Sequence, residues 1–236
     1  MDIFARLNSY TVRLVDQELF NAKYLGFYKK YAYDYGYKYV KYFIDSHILS
    51  KLKVTRMAEA ELSSDLFMLL LDEIQSNKNI ENFYIKYEDN EDGLPMAGVK
   101  FDNVMSFIGE LYPSDKIIHT NWNRIHLFYS LFAAISHMLY GVKNLNQSYR
   151  IDISEKIIGK LRVCLDTISS DFNELSDKFD DLSSQDDGNS VLSDDSIGTA
   201  EMLKFIYYSR RGTTDATARI YRANYISKRI YNFIGK

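Results

Sequence analysis

Ile158, Leu161, Leu165, Ile168, Phe172, Leu175, Phe179 and Leu182 alternate three and four positions apart without a miss. That spacing places all of them on one face of a single long α-helix, a heptad-like seam that calls for a near-antiparallel neighbour. The stretch before it, Trp122–Tyr140, repeats Ile125, Tyr129, Phe132, Ile135 and Leu139 at helical period. Joined through Gly141–Gln147, the two are expected to close an intramolecular helical hairpin, because the seam is short for a free coiled coil.

Working outward, the same period recurs along most of the chain. Thr55–Gln75 carries Met57, Leu62, Leu66, Leu69, Leu70 and Ile74 on one face, and Ile80–Tyr87 reads as a shorter helix. Leu14–Tyr31 and Tyr37–Leu49 read as two Tyr-rich helices separated by Asp34-Tyr35-Gly36. Asn90–Pro95 and Gly98 mark a loop, and a helix follows from about Phe101 to Leu111, ended by Pro113-Ser114-Asp115. The chain closes with helices over Ala200–Ser209 and Thr214–Phe233, broken at Arg211-Gly212-Thr213, with Thr213 or Thr214 as the N-cap. Ile220, Ala223, Ile226, Ile230 and Phe233 form the expected inner face of the last helix.

Only two prolines interrupt 236 residues, which favours long helices. The fold expected is all-α: a multi-helix bundle with a long helical hairpin and an acidic mobile loop. Residues 1–92 form a Tyr-rich helical region, 99–182 the central helices, 183–199 the acidic loop and 200–236 basic helices, packed as one domain overall. The loop is rich in Ser, Asp and Gly, and has too little apolar surface to offset the entropy of ordering itself.

Composition is that of an ordinary globular protein, 46% hydrophobic and 26% charged. Twenty tyrosines and 14 phenylalanines against one tryptophan make Tyr the usual large side chain, suited to positions where the ring packs and the hydroxyl reaches a polar surface. The single cysteine, Cys164, excludes an internal disulfide and a thiolate metal cage. No basic-then-apolar leader opens the sequence, and the longest apolar stretch, Leu127–Val142, is shorter than the ~20 residues of a membrane span. A cytoplasmic protein with no membrane contact is therefore expected.

Net charge is −3, yet its distribution is uneven. Asp166–Asp195 holds ten acids and one base, and Leu203–Lys236 holds eight bases and one acid, so the two can tether each other or leave a basic surface for a partner. Arg219, Arg222, Lys228 and Arg229, with Arg210 and Arg211 at the preceding break, are the candidate nucleic-acid contacts. A basic stripe opposite an apolar face can track a phosphate backbone, or be an ordinary solvated face. Between Phe20 and Phe43, aromatics interleave with Lys23, Lys29, Lys30, Lys38 and Lys41; this fits base stacking, or amphipathic helices with rings inward and ammonium groups in water. His126 and His137 can share a helical face, but no acid between Trp122 and Tyr140 completes a metal set, so no metal and no cofactor is expected. No Gly-rich phosphate loop and no nucleophile elbow occurs, and no catalytic residue is marked.

Ile3-Phe4-Ala5-Arg6-Leu7-Asn8, Leu14, Gln17-Glu18-Leu19-Phe20-Asn21-Ala22-Lys23-Tyr24, Arg56-Met57 and Glu61-Leu62 resemble the middle of the GmrSD-type family (domain of unknown function 262). Arg211-Gly212-Thr213-Thr214 followed by Arg219 is a weaker echo of the same family. Its members carry a ParB-like N-terminal domain with an Asp-Gly-Gln-Gln-Arg motif tied to nucleotide hydrolysis, then an F-x-R-L-N segment and a helical region. The family includes nucleotide-dependent restriction systems acting on modified phage DNA, some with an added HNH-type nuclease domain.

The resemblance implies that Phe4, Arg6 and Asn8 are a remnant of the motif lining the nucleotide-handling region. Three departures qualify it: the sequence contains no Asp-Gly-Gln-Gln-Arg, position 20 is Phe where the family usually has Arg, and no HNH motif follows. The resemblance thus implies the helical half of such a protein, a truncated product, split-gene subunit or fragment that does not hydrolyse nucleotide alone. Its expected partners are DNA and a separate ParB-like domain or subunit. A protein-interaction scaffold or homodimer with no nucleic-acid role is the alternative.

Overall fold

The computed structural model describes residues 14–151, 157–183 and 197–235, with side chains for 14–151, 157–176 and 199–235. Phe4, Arg6, Asn8 and most of the expected acidic loop lie outside these described residues, as do the side chains of the seam positions Phe179 and Leu182. Among the described residues the fold is all-α, a bundle of eleven helices with no strand. They are α1 (Asp16–Lys23), α2 (Phe27–Asp45), α3 (Lys51–Val54), α4 (Ala58–Leu71), α5 (Ile80–Lys86) and α6 (Leu94–Leu111). α7 (Ser114–Ile117), α8 (Ile125–Tyr140), α9 (Ile158–Ser183), α10 (Ile197–Arg210) and α11 (Ala216–Ile234) follow.

Two helices form the centre. α8 is buried without a break from Leu127 to Met138, and α4 from Leu62 to Leu69. An all-round apolar helix is stable only when covered on every side. α2 and α6 pack on α4, α6 also on α8, and α11 lies along α8 with α10 beside it. One contiguous apolar cluster runs from Tyr24 to Ile230 through all of these layers. No helix among the described residues is long and apolar enough to cross a membrane.

The long helix packs differently from the expectation. Its seam is buried at Leu161, Leu165, Ile168 and Phe172, but its main neighbours are α10 and α11, with α6 along another side, and not α8. Phe172 meets Phe205 of α10 edge-on, ring centroids 6.0 Å apart. α8 is covered instead by α11, α6 and α4. A three-four seam specifies that a helix is covered, not which helix covers it.

Glycines account for two further corrections. The Asp34-Tyr35-Gly36 break does not form, and one helix, α2, runs through it. A Cβ on Gly36 would stand 3.0 Å from the Glu59 carbonyl carbon and oxygen, so this glycine permits close approach of α2 to α4. The actual break is at Gly26, where a Cβ would lie 2.3 Å from the Glu88 Cα and carbonyl oxygen. Likewise α6 starts at Leu94, with Pro95 in its first turn and Gly98 inside it, because a Cβ at Gly98 would meet the Tyr35 hydroxyl at 2.4 Å. The expected helix at Thr55–Gln75 is the shorter α4, Ala58–Leu71, which begins after Met57 in a left-handed conformation, φ 63°; the single turn of α3 precedes it.

At α11 the N-cap is Asp215, not Thr213 or Thr214, and its N–H is donated to the Gly212 carbonyl at 2.8 Å. On that helix Phe233 is half-exposed and does not join the inner face.

The tyrosines of α2 serve the core and the acids around it. Tyr28 is fully buried, with its hydroxyl donated to the Ser64 carbonyl at 2.5 Å. Tyr31 donates to Glu91 (2.9 Å), Tyr39 to Asp102 (2.6 Å) and Tyr42 to the Tyr112 carbonyl (2.9 Å). Rings so committed are not a stacking platform for bases; of this run only Tyr37 is largely exposed, at 82%.

Replacing Gly26 by Ala is expected to lower stability by about 1–3 kcal/mol, since backbone must move to admit the methyl. Gly109→Ala, inside α6 with nothing within 4 Å of the added carbon, should raise it by roughly 0.5–1 kcal/mol through helix propensity. Urea unfolding midpoints of the two variants should therefore move in opposite directions.

Candidate functional site

The basic residues of the last helix divide into two groups. Arg219 and Arg222 are 3% and 0% exposed, so the solvent-facing stripe expected from the sequence does not form. Arg219 reaches α4, where its Nη1 and Nη2 donate to the two oxygens of Asp65 at 2.7 and 2.5 Å. The guanidinium also lies over the Tyr129 ring, 4.2 Å from its centroid, and donates to the Gln75 carbonyl at 2.9 Å. Arg222 donates from Nε to Ser130 Oγ (2.8 Å), from Nη1 to the Tyr208 carbonyl (2.5 Å) and from Nη2 to the Thr213 carbonyl (2.7 Å). With burial and the nearby Arg219 charge both disfavouring its ionised form, its pKa falls to about 10. These two side chains bolt α11 to α4, to α8 and to the end of α10, and neither can meet a phosphate.

Lys228 pairs with Glu201 of α10, and Arg229 donates to Asp171 of α9 at 2.9 Å and to the Tyr225 hydroxyl at 2.7 Å. The Arg229 pair realises one tether between the acidic and basic stretches. Arg210 and Arg211 alone of the six expected contacts are fully on the surface, at the turn between α10 and α11. The inward arginines had a signal in the sequence: Arg219, Ala223, Ile226 and Ile230 are spaced four, three and four apart, so Arg219 belongs to the apolar seam. Asp65 stands likewise among Leu62, Leu66 and Leu69.

A second polar assembly forms where α1 meets α4 and α5. Arg56 donates from Nε and Nη2 to the two oxygens of Glu18 at 2.7 and 2.8 Å. Glu18 also accepts the Val15 N–H at 2.8 Å, fastening the first turn of α1, and the Arg56 and Val15 donors hold its carboxyl below the usual range. Gln17, 1% exposed, donates to Tyr84 Oη at 2.8 Å, and that hydroxyl is 3.0 Å from Ser64 Oγ. Lys23 and Tyr24 both donate to Glu81, at 2.7 and 2.8 Å. Phe20, the position of the family departure, packs with Tyr24 and Tyr84. Two buried acceptors near this junction, Gln17 Oε1 and Glu59 Oε2, have no donor among the described residues. Burial raises the Glu59 carboxyl.

The histidines do not converge. His137 is buried at the end of α8; it accepts the Val142 N–H on Nδ1 at 3.0 Å, so its proton sits on Nε2 and faces the Asn146 carbonyl at 3.2 Å. It clamps the loop after α8. His126 is half-buried, with Nε2 lacking a partner among the described residues, and burial, then Arg222 and Arg124, lower its pKa to about 4. Among the described residues no three His, Cys, Asp or Glu side chains gather as a metal site requires. Cys164 is buried, and its thiol is pushed up to about 11.

In comparisons with known proteins, no family model, no curated protein and no solved structure matches this chain.

Arg219→Met leaves Asp65 buried and unpaired and should cost about 3–5 kcal/mol, whereas Asp65→Leu combined with Arg219→Met should lose clearly less. A double-mutant cycle by urea unfolding checks this. The His126 ring is neutral in the fold and binds a proton more readily once unfolded. Stability therefore holds above about pH 6.5 and drains away as pH falls toward about 4. His126→Gln should flatten the decline of Tm across that window; an unchanged slope would assign the acid loss to other groups.

Proposed function

We propose that this chain is a helical, non-catalytic module of a GmrSD-like nucleotide-dependent restriction or phage-defence protein, acting through contacts with a ParB-like nucleotide-hydrolysing domain or subunit and with DNA. The observation that carries this reading is the Glu18–Arg56 pair. Its members lie in the two separated pieces of the resemblance, 38 positions apart, and meet in a bidentate, partly buried ion pair. A fork-to-fork pair fixes geometry as well as charge, so it gives a physical reason for both short stretches to occur in one protein.

With Arg219 and Arg222 inside, DNA contact falls to the turn bearing Arg210 and Arg211. A second reading, an interaction scaffold or homo-oligomer, draws on Leu25, Tyr37 and Leu52, each more than three-quarters exposed at 82%, 82% and 78%.

Light scattering of the purified chain, alone and with a GmrSD-type ParB-like domain added, separates these readings. The module reading expects a monomer that forms a complex only with the added domain and shows no nucleotide hydrolysis by itself. A stable homodimer indifferent to that domain favours the scaffold, and hydrolysis by the chain alone overturns both. For the DNA part, gel shifts on modified and unmodified duplexes should weaken with salt and with Arg210→Ala plus Arg211→Ala; absent or salt-independent binding removes it.

A further inference from the structure

A groove of about 420 Å³ opens on the surface where α7 and the turn after it face α9. It lies among residues that neither the buried arginines nor the α1 junction use. Its walls carry basic groups on both sides: Lys116 and His119 from the α7 side, Arg162 from α9. Arg162 is held rather than free-swinging. Its Nε donates to the Leu111 carbonyl at 2.7 Å and its Nη2 to the Glu110 carbonyl at 2.8 Å, which caps the end of α6. Those bonds leave Nη1 without a protein acceptor among the described residues.

The Lys116 ammonium is two-thirds exposed, and the carboxylate paired with it is its neighbour Asp115, at 3.8 Å. His119 is exposed. Among the residues lining the groove, Asp166 is the one acid beside Lys116 and Arg162.

Asp166 supplies the opposite chemistry in the same space. Its Oδ1 accepts the Tyr112 hydroxyl at 2.6 Å, which orients the carboxylate and leaves Oδ2 as an acceptor. Behind it, the Asn121 side chain donates to Ser169 Oγ at 3.1 Å and to Asn173 Oδ1 at 2.9 Å, while its backbone N–H donates to the same Ser169 Oγ at 2.9 Å. The α9 side of the wall is therefore a fastened network, while Lys116 and His119 stand at the surface opposite it.

One held guanidinium and a surface ammonium beside one oriented acceptor match a ligand with an anionic oxygen cluster and a hydroxyl. The volume falls within the range of small-molecule sites. Tyr112 is only 2% exposed, so its ring face is not offered to a nucleobase.

We propose that this groove binds a small phosphorylated polyol or sugar, with Arg162, Lys116 and His119 on the phosphate and Asp166 on a hydroxyl. The inference stands apart from the GmrSD-like reading, since no DNA and no partner domain enters its test.

Calorimetric titration of the full chain with glucose 6-phosphate, inorganic phosphate and adenosine monophosphate tests it. The sugar phosphate is expected to bind most tightly. Lys116→Gln should weaken it about tenfold, as loss of one charge-assisted bond implies, and Arg162→Gln should weaken it more. Asp166→Asn should weaken the sugar phosphate while leaving inorganic phosphate unchanged. Should Arg162→Gln unfold the α6 end, the exposed Lys116 and Asp166 variants decide alone. No heat with any probe, affinity unmoved by Lys116→Gln, or tighter binding of the nucleotide would each overturn the proposal.

Discussion

Charge buried at the centre governs how this bundle is assembled. Arg219 on the last helix and Asp65 on the fourth meet across 154 positions of sequence, inside a core otherwise made of Leu, Ile, Phe and Tyr. Taking either charge out of water alone is costly, so neither helix can dock without the other in register. Arg222 adds a second lock of a different kind. Its three donors end on a hydroxyl and two carbonyls at the α10–α11 turn, so the guanidinium satisfies backbone that would otherwise be buried unpaired. Apolar seams bring α8 and α11 together; the arginines set which rotation and which level of the helix are accepted.

Around that centre, close backbone approach and tyrosine hydroxyls do most of the positioning. Gly36 and Gly98 let α2 lie against α4 and α6 at separations a methyl would forbid. Tyr31 and Tyr39 then reach over the rim to Glu91 and Asp102. Tyrosine suits this role because a single side chain fills core volume and ends in a donor at the boundary. The tyrosine-lysine run of α2 is thereby explained as packing and ion pairing; Lys38 shares Asp102 with Tyr39.

The functional reading follows from what the packing leaves over. Arg219 and Arg222, which look available in the sequence, are consumed by the fold, whereas Arg210 and Arg211 stay exposed at the α10–α11 turn. The α1 junction joins residues of the family resemblance through the Glu18–Arg56 pair.

The sequence alone determined where helices form and that no strand layer is needed, because a 3.6-residue repeat is a local property that any apolar core rewards. It placed α8, the long α9 and the last helix nearly in full. It could not choose the neighbour of α9, since Leu161, Leu165, Ile168 and Phe172 fit many apolar faces equally well. It misread Gly36 and Gly98, because a glycine that breaks a helix and one that makes room for a neighbouring backbone or ring are the same letter. The direction of Arg219 and Arg222 was decided only in three dimensions. An arginine belongs in water unless a counter-charge and a set of carbonyls wait inside, and here those partners come from Asp65, Ser130, Tyr208 and Thr213, brought together by tertiary packing.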